Sequence, residues 1–155
     1  MALDALASTV ASGLVIGLIT AVVSVRLALG RFQRERLWDR KLQAYSEIFQ
    51  ALFHIKAYTT RILAQIEEGT QFDKEYMSEL GSQATAGYNE IRKAVVMGTL
   101  VLGEDAVQRL QSLENDFDDP HYNMDIHDEA SADLEAATKA IAALRPIAKK
   151  DLAIR

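Results

Sequence analysis

Apolar positions follow two regimes along this chain. From Ala5 to Val25 they are nearly continuous: ALASTVASGLVIGLITAVVSV holds no charged residue. A helix rises about 1.5 Å per residue, so such a run covers roughly 30 Å, the thickness of a bilayer's hydrocarbon core. It predicts one transmembrane helix. Beyond Arg26 the apolar residues become periodic, which predicts helices that each bury one face.

The first periodic helix is expected from Arg31 to about Glu68, a stretch without proline. Trp38, Leu42, Tyr45, Phe49, Leu52, Lys56, Thr59, Leu63 and Ile66 recur at four-three spacing. Leu37, Ala44, Ile48, Ala51, Ile55, Tyr58 and Ile62 run beside them. Together they make a face broad enough for a bundle, and Gly69 suits a C-terminal cap. Asp73 is a candidate N-cap for a second helix reaching about Leu102, with Met77, Leu80, Ala84, Tyr88, Ile91, Val95 and Leu102 on one face. Gly81, Gly87 and Gly98 each weaken that helix by roughly 1 kcal/mol against alanine. They are expected to mark close packing against the first helix. Val95 to Leu102 is apolar nearly all round, and is expected to be the most buried part of the bundle or a partner contact.

A third helix is expected over about 104–117, with Ala106, Leu110, Leu113 and Phe117 inward and Glu104 and Asp105 favouring its dipole. Asp118 to Met124, with Pro120, breaks the pattern. The fourth helix begins near Asp125 or Asp128 and reaches about Lys150. Leu134, Ala137, Ile141, Leu144 and Ala148 form its stripe, and Pro146 is expected to bend it or strain its last turns. No strand-like alternation of useful length appears. The prediction is an all-α chain: an N-terminal transmembrane helix (1–30) continuing into an antiparallel bundle of about four helices (31–155).

Charge gives this layout an orientation. Arg26, Arg31, Arg34, Arg36, Arg40 and Lys41 follow the apolar run, and no Lys or Arg precedes it. The positive-inside rule places the N-terminus outside and the bundle in the cytoplasm. Arg26 is close enough to the run's end to snorkel to the headgroups, and the basic collar suits anionic lipid. The net charge of -5 hides an asymmetry, because residues 42–155 carry eleven basic and nineteen acidic groups. Such a bundle is repelled by nucleic acid, so no nucleic-acid partner is expected. The absence of cysteine removes disulfides and thiolate metal sites.

Thr9, Gly13, Gly17 and Ala21 repeat every four residues within the run. Gly13-Leu-Val-Ile-Gly17 is the small-xxx-small pattern that lets helix backbones approach in lipid, so a homo-oligomer is expected. Chemistry is harder to find. Asp118, His121, Asp125 and His127 are the one set that offers oxygen and nitrogen ligands for a divalent ion. They lack both the EF-hand spacing and a paired Glu-x-x-His, so a solvated acidic loop is the reading adopted, with no metal and no cofactor. No phosphate loop, H-E-x-x-H or nucleophile elbow occurs. No enzyme is expected.

Trp38-Asp-Arg-Lys41, followed by Ala44-Tyr45 and Leu52, resembles the start of many small uncharacterised bacterial proteins with one N-terminal transmembrane helix and a cytoplasmic helical bundle. Arg145-Pro-Ile-Ala-Lys-Lys-Asp-Leu152 is similar to their C-terminal pattern, in which basic residues precede Asp/Glu-Leu-Gly. Here Ala153 stands where that glycine would be, and Pro146 departs from the pattern. The resemblance implies a bacterial inner-membrane anchor and a bundle, and no activity. The function expected is a self-associating scaffold whose acidic bundle meets a cytoplasmic protein partner. The alternative is an oligomeric, membrane-perturbing or pore-forming effector of a bacterial defence system.

Overall fold

The computed structural model describes residues 2–118 and 125–153, with side chains from residue 24 onward except that of Leu27. Four helices build it: α1 (Ala2–Glu67), α2 (Lys74–Gly98), α3 (Glu104–Asp118) and α4 (Ile126–Asp151). Among the described residues there is no strand, and the fold is all-α. The chain divides into two units, Met1–Asp39 and Arg40–Arg155. Among the described residues no helix is long and apolar enough to cross a membrane. The run from Ala5 falls on α1, but its side chains as far as Val23 lie outside the described residues, including those of Thr9, Gly13, Gly17 and Ala21.

In the second unit the helix ends sit where the capping residues put them. Gly69 takes φ +67°, the left-handed conformation that glycine adopts without a Cβ penalty. It lets the Thr70 N–H return to the Ala64 carbonyl at 3.3 Å, beside the Glu68 N–H at 3.1 Å. Asp73 accepts from the Glu75 and Tyr76 N–H groups, and Asp125 from that of Ile126. Both satisfy donors that a helix N-terminus leaves without intrahelical partners.

The four helices alternate in direction. The start of the bundle portion of α1 meets the end of α4 through Tyr45 and Asp151, and the end of α1 meets the start of α4 through Glu67 and His127. Gly87 of α2 lies against Ala51, whereas the earlier Gly81 lies against the later Tyr58. Tyr45, Ile48, Leu52 and Ile55 of α1, Ile91 of α2, Leu110 and Leu113 of α3 and Leu144 of α4 are the largest fully buried side chains. Ala106, Ala137 and Ala140 are also fully buried, and their small size brings α3 and α4 close to the centre.

The structure departs from the periodic reading in two places, the buried face of α1 and the end of α2. The face of α1 is buried only from Tyr45 to Thr59, while Leu37, Trp38, Leu42 and Ile66 are exposed. The second helix stops at Gly98, four residues early. Three turn hydrogen bonds, Leu100 N–H to Met97 O and Val101 and Leu102 N–H to Gly98 O, carry the chain round instead. Val95 to Leu102 is therefore not the most buried segment. Val96, Met97 and Leu100 are 69%, 54% and 75% exposed, and the turn delivers Leu102 to the core in their place. Pro146 lies inside α4 without ending it. Both Pro146 and Ala142, whose carbonyl loses its N–H partner, are exposed, so water can replace the missing donor.

Ala153, just past the end of α4, has φ +51°. An L-residue pays about 1–2 kcal/mol for this conformation and glycine does not. Ala153→Gly is expected to stabilise the bundle by about 1 kcal/mol, seen as a higher urea midpoint with an unchanged m-value. A lower midpoint would show that the unfolded-state entropy of glycine outweighs the relief of strain.

Candidate functional site

At 15 residues, α3 is much shorter than α2, with 25, and α4, with 26. Ten missing residues correspond to about 15 Å of helix. A cleft of about 390 Å³ opens beyond its last turn, lined by Tyr58 and Thr59 of α1, Thr85, Tyr88 and Arg92 of α2, Phe117 of α3, and Glu129 and Asp133 of α4. Its size falls within the usual range for small-ligand pockets.

The walls of the cleft are held by named contacts. Tyr88 and Phe117 pack edge to face, with centroids 4.9 Å apart and planes at 82°. The Tyr88 hydroxyl donates to Asp133, joining α2 to α4 across the bundle. Burial pushes the Tyr88 hydroxyl above the usual tyrosine range, and the Asp133 hydrogen bond and the charges of Asp133 and Glu129 push it the same way. Tyr88 is thus a neutral donor at ordinary pH, in a field set by two carboxylates. Among the described residues the one cation in the lining is Arg92, whose Nη2 is held by Asp118 at 2.6 Å.

The surrounding end of the bundle is acidic. Glu67, Glu68, Asp73 and Glu75 lie at the α1–α2 turn, and Asp116, Asp118, Asp125 and Asp128 flank the α3–α4 connection. His127 Nε2 is 2.9 Å from Glu67, and its Nδ1 is 3.3 Å from Asp128. Those hydrogen bonds raise its pKa above the ordinary histidine value.

This arrangement accounts for the candidate metal ligands one by one. Asp118 holds Arg92, Asp125 caps α4, and His127 bonds to Glu67 and Asp128. His121 lies outside the described residues. Among the described residues no group of three or more His, Asp or Glu could hold a metal ion. Of the basic collar, Arg26, Arg31, Arg34, Arg36 and Arg40 are exposed and Lys41 is half-buried. Arg31 pairs with Glu35 at 3.2 Å, and the Arg36 guanidinium lies 4.6 Å from the Phe32 ring centre. Tyr45 is a core residue, Trp38 is exposed at 42%, and His54 is half-buried with its ring edge to face with Phe53.

Sequence periodicity singled out the acidic connection but not the cleft beside it. Tyr58, Tyr88, Glu129 and Asp133 come from three helices, and only Glu129 and Asp133, four residues apart on α4, share a helical spacing. The available signal was the short third helix between two long neighbours. Comparison with protein-family models, with curated proteins and with solved structures finds no match for this chain.

Proposed function

We propose that this chain is a membrane-anchored, self-associating interaction module without enzymatic activity, whose acidic bundle receives a cytoplasmic protein partner. The observation that carries the reading is the order of features along α1. An uncharged apolar run with a ladder of Thr9, Gly13, Gly17 and Ala21 is followed by a collar of six basic residues, and then by a predominantly acidic bundle. The run is long enough for a bilayer core, the collar suits the cytoplasmic leaflet, and the ladder suits close helix contact in lipid. The resemblance to small bacterial anchored proteins points to an inner membrane. The acidic end of the bundle suits a basic protein surface and disfavours nucleic acid.

The test is the mass of the full-length chain in mild detergent, beside a chain beginning at Arg31. The full-length chain is expected to be an oligomer and the truncated one a monomer. Gly13→Leu with Gly17→Leu is expected to lower the mass of the full-length assembly, because the added side chains hold the backbones apart. An unchanged mass in that variant would remove the ladder as the assembly surface. Two monomers would remove self-association altogether.

A further inference from the structure

We propose that the cleft beyond the end of α3 is the partner's anchoring point, and that it accepts an arginine or lysine side chain from a basic segment of that partner. This rests on the reading of the bundle as an acidic interaction module and gives its contact a location. Three features of the cleft point to an organic cation. Glu129 and Asp133 stand four residues apart on α4, so both carboxylates are on one helix face and on one wall of the cleft. Tyr58, Tyr88 and Phe117 supply aromatic surface for the stem and for cation–π attraction to the charged head. The cation already in the lining, Arg92, is matched by Asp118, so its charge is compensated locally.

The setting favours a peptide side chain over a free metal ion. A metal ion needs several oxygen or nitrogen ligands at close range, and the described residues gather no such group. A guanidinium needs a carboxylate, additional acceptors and a flat apolar contact, and the cleft lining offers Glu129, Thr85 and the aromatic rings. The carboxylates at the α1–α2 turn and those of Asp116, Asp118, Asp125 and Asp128 extend the negative field around the mouth, so neighbouring basic residues of the same segment would also be attracted.

The probe is a short, capped, dye-labelled peptide of alternating arginine and glycine, titrated into the full-length chain in mild detergent at low salt and followed by fluorescence anisotropy. The same peptide with citrulline for arginine keeps the shape and removes the charge. The arginine peptide is expected to bind and the citrulline peptide to fail. Glu129→Gln and Thr85→Arg, both at exposed positions, are each expected to weaken binding by about tenfold. Glu75→Gln with Glu79→Gln removes two charges outside the cleft and is expected to change affinity less than either. Equal weakening by all three variants would mean diffuse attraction to an acidic surface and would overturn the cleft as the anchor. No binding of the arginine peptide would overturn it too. Neither result bears on self-association, which the detergent mass measures separately.

Discussion

Gly87→Ala is expected to destabilise the bundle, whereas Gly81→Ala, on the same helix, is expected to stabilise it. A Cβ on Gly87 would stand 2.8 Å from the carbonyl oxygen of Ala51 and 3.2 Å from Cγ1 of Ile55. The first of these is backbone in the middle of α1, so no side-chain rotation relieves the clash and the two helices must move apart. Overpacking of this kind costs about 1–3 kcal/mol, against a gain of roughly 1 kcal/mol from replacing a helical glycine by alanine. The net loss should be about 1–2 kcal/mol, and Gly87→Leu should lose more. At Gly81 the nearest atom to a new Cβ is the Tyr58 ring at 3.4 Å, an ordinary contact, so the helix-propensity gain survives. Urea unfolding of the full chain in mild detergent, followed by circular dichroism, compares the two. A stabilised Gly87→Ala would mean that α1 and α2 are less closely crossed than the structure has them.

This pair also shows how far the sequence could be read. Three glycines in α2 implied close crossing, and Gly87 provides it; Gly81, six residues earlier, lies about 120° round the helix, while Gly98 shares the face of Gly87 but ends the helix. Helix existence and capping were legible because both are local: Gly69 and Asp73 act on N–H and carbonyl groups a few residues away. Of the two readings of Val95 to Leu102, burial fails at Val96, Met97 and Leu100 because hydrophobicity says a residue can be buried, not that a neighbour reaches it. At that end of the bundle the chain turns after Gly98, and only Leu102 is delivered inward. The cleft was illegible for a related reason. It exists because α3 is short relative to its neighbours, a comparison between elements that no single stretch contains. The apolar run and its ladder remain features of sequence, and their role rests on length and charge order.

Asp151→Ala is expected to lower stability by about 3 kcal/mol, more than any other single surface carboxylate, because one oxygen joins three elements. Asp151 Oδ2 accepts from the Tyr45 hydroxyl of α1 at 2.8 Å and from the Gly103 N–H, at the entry to α3, at 2.9 Å. Tyr45 is 2% exposed, so truncating Asp151 leaves a buried hydroxyl without its acceptor as well as an N–H. Each lost partner costs about 1–3 kcal/mol. Asp151→Asn can turn its amide oxygen to the same place and should lose only about 1 kcal/mol, the difference between a charged and a neutral acceptor. Tyr45→Phe should cost about 1 kcal/mol alone and less in the Asp151→Ala background, since the donor it removes is already unmatched. A Cβ at Gly103 would lie 2.8 and 2.9 Å from the two Asp151 oxygens, so a side chain there would displace the carboxylate from the clasp. Burial pushes the Asp151 carboxyl up, but the Tyr45 hydroxyl, the Gly103 N–H and the charges of Lys41 and Lys150 outweigh it and hold its pKa below the ordinary aspartate value. A carboxyl depressed in the folded state contributes stability above its unfolded pKa and loses it as pH falls through the folded one. The wild-type chain should therefore lose more stability than Asp151→Ala on acidification below about pH 4, and the gap between them should narrow by about 1 kcal/mol. Burial raises the Tyr45 pKa, aided by Asp151, so the same clasp also weakens when strong alkali ionises the phenol. Parallel pH profiles for wild type and Asp151→Ala would show that the clasp carries no charge-dependent share of the fold.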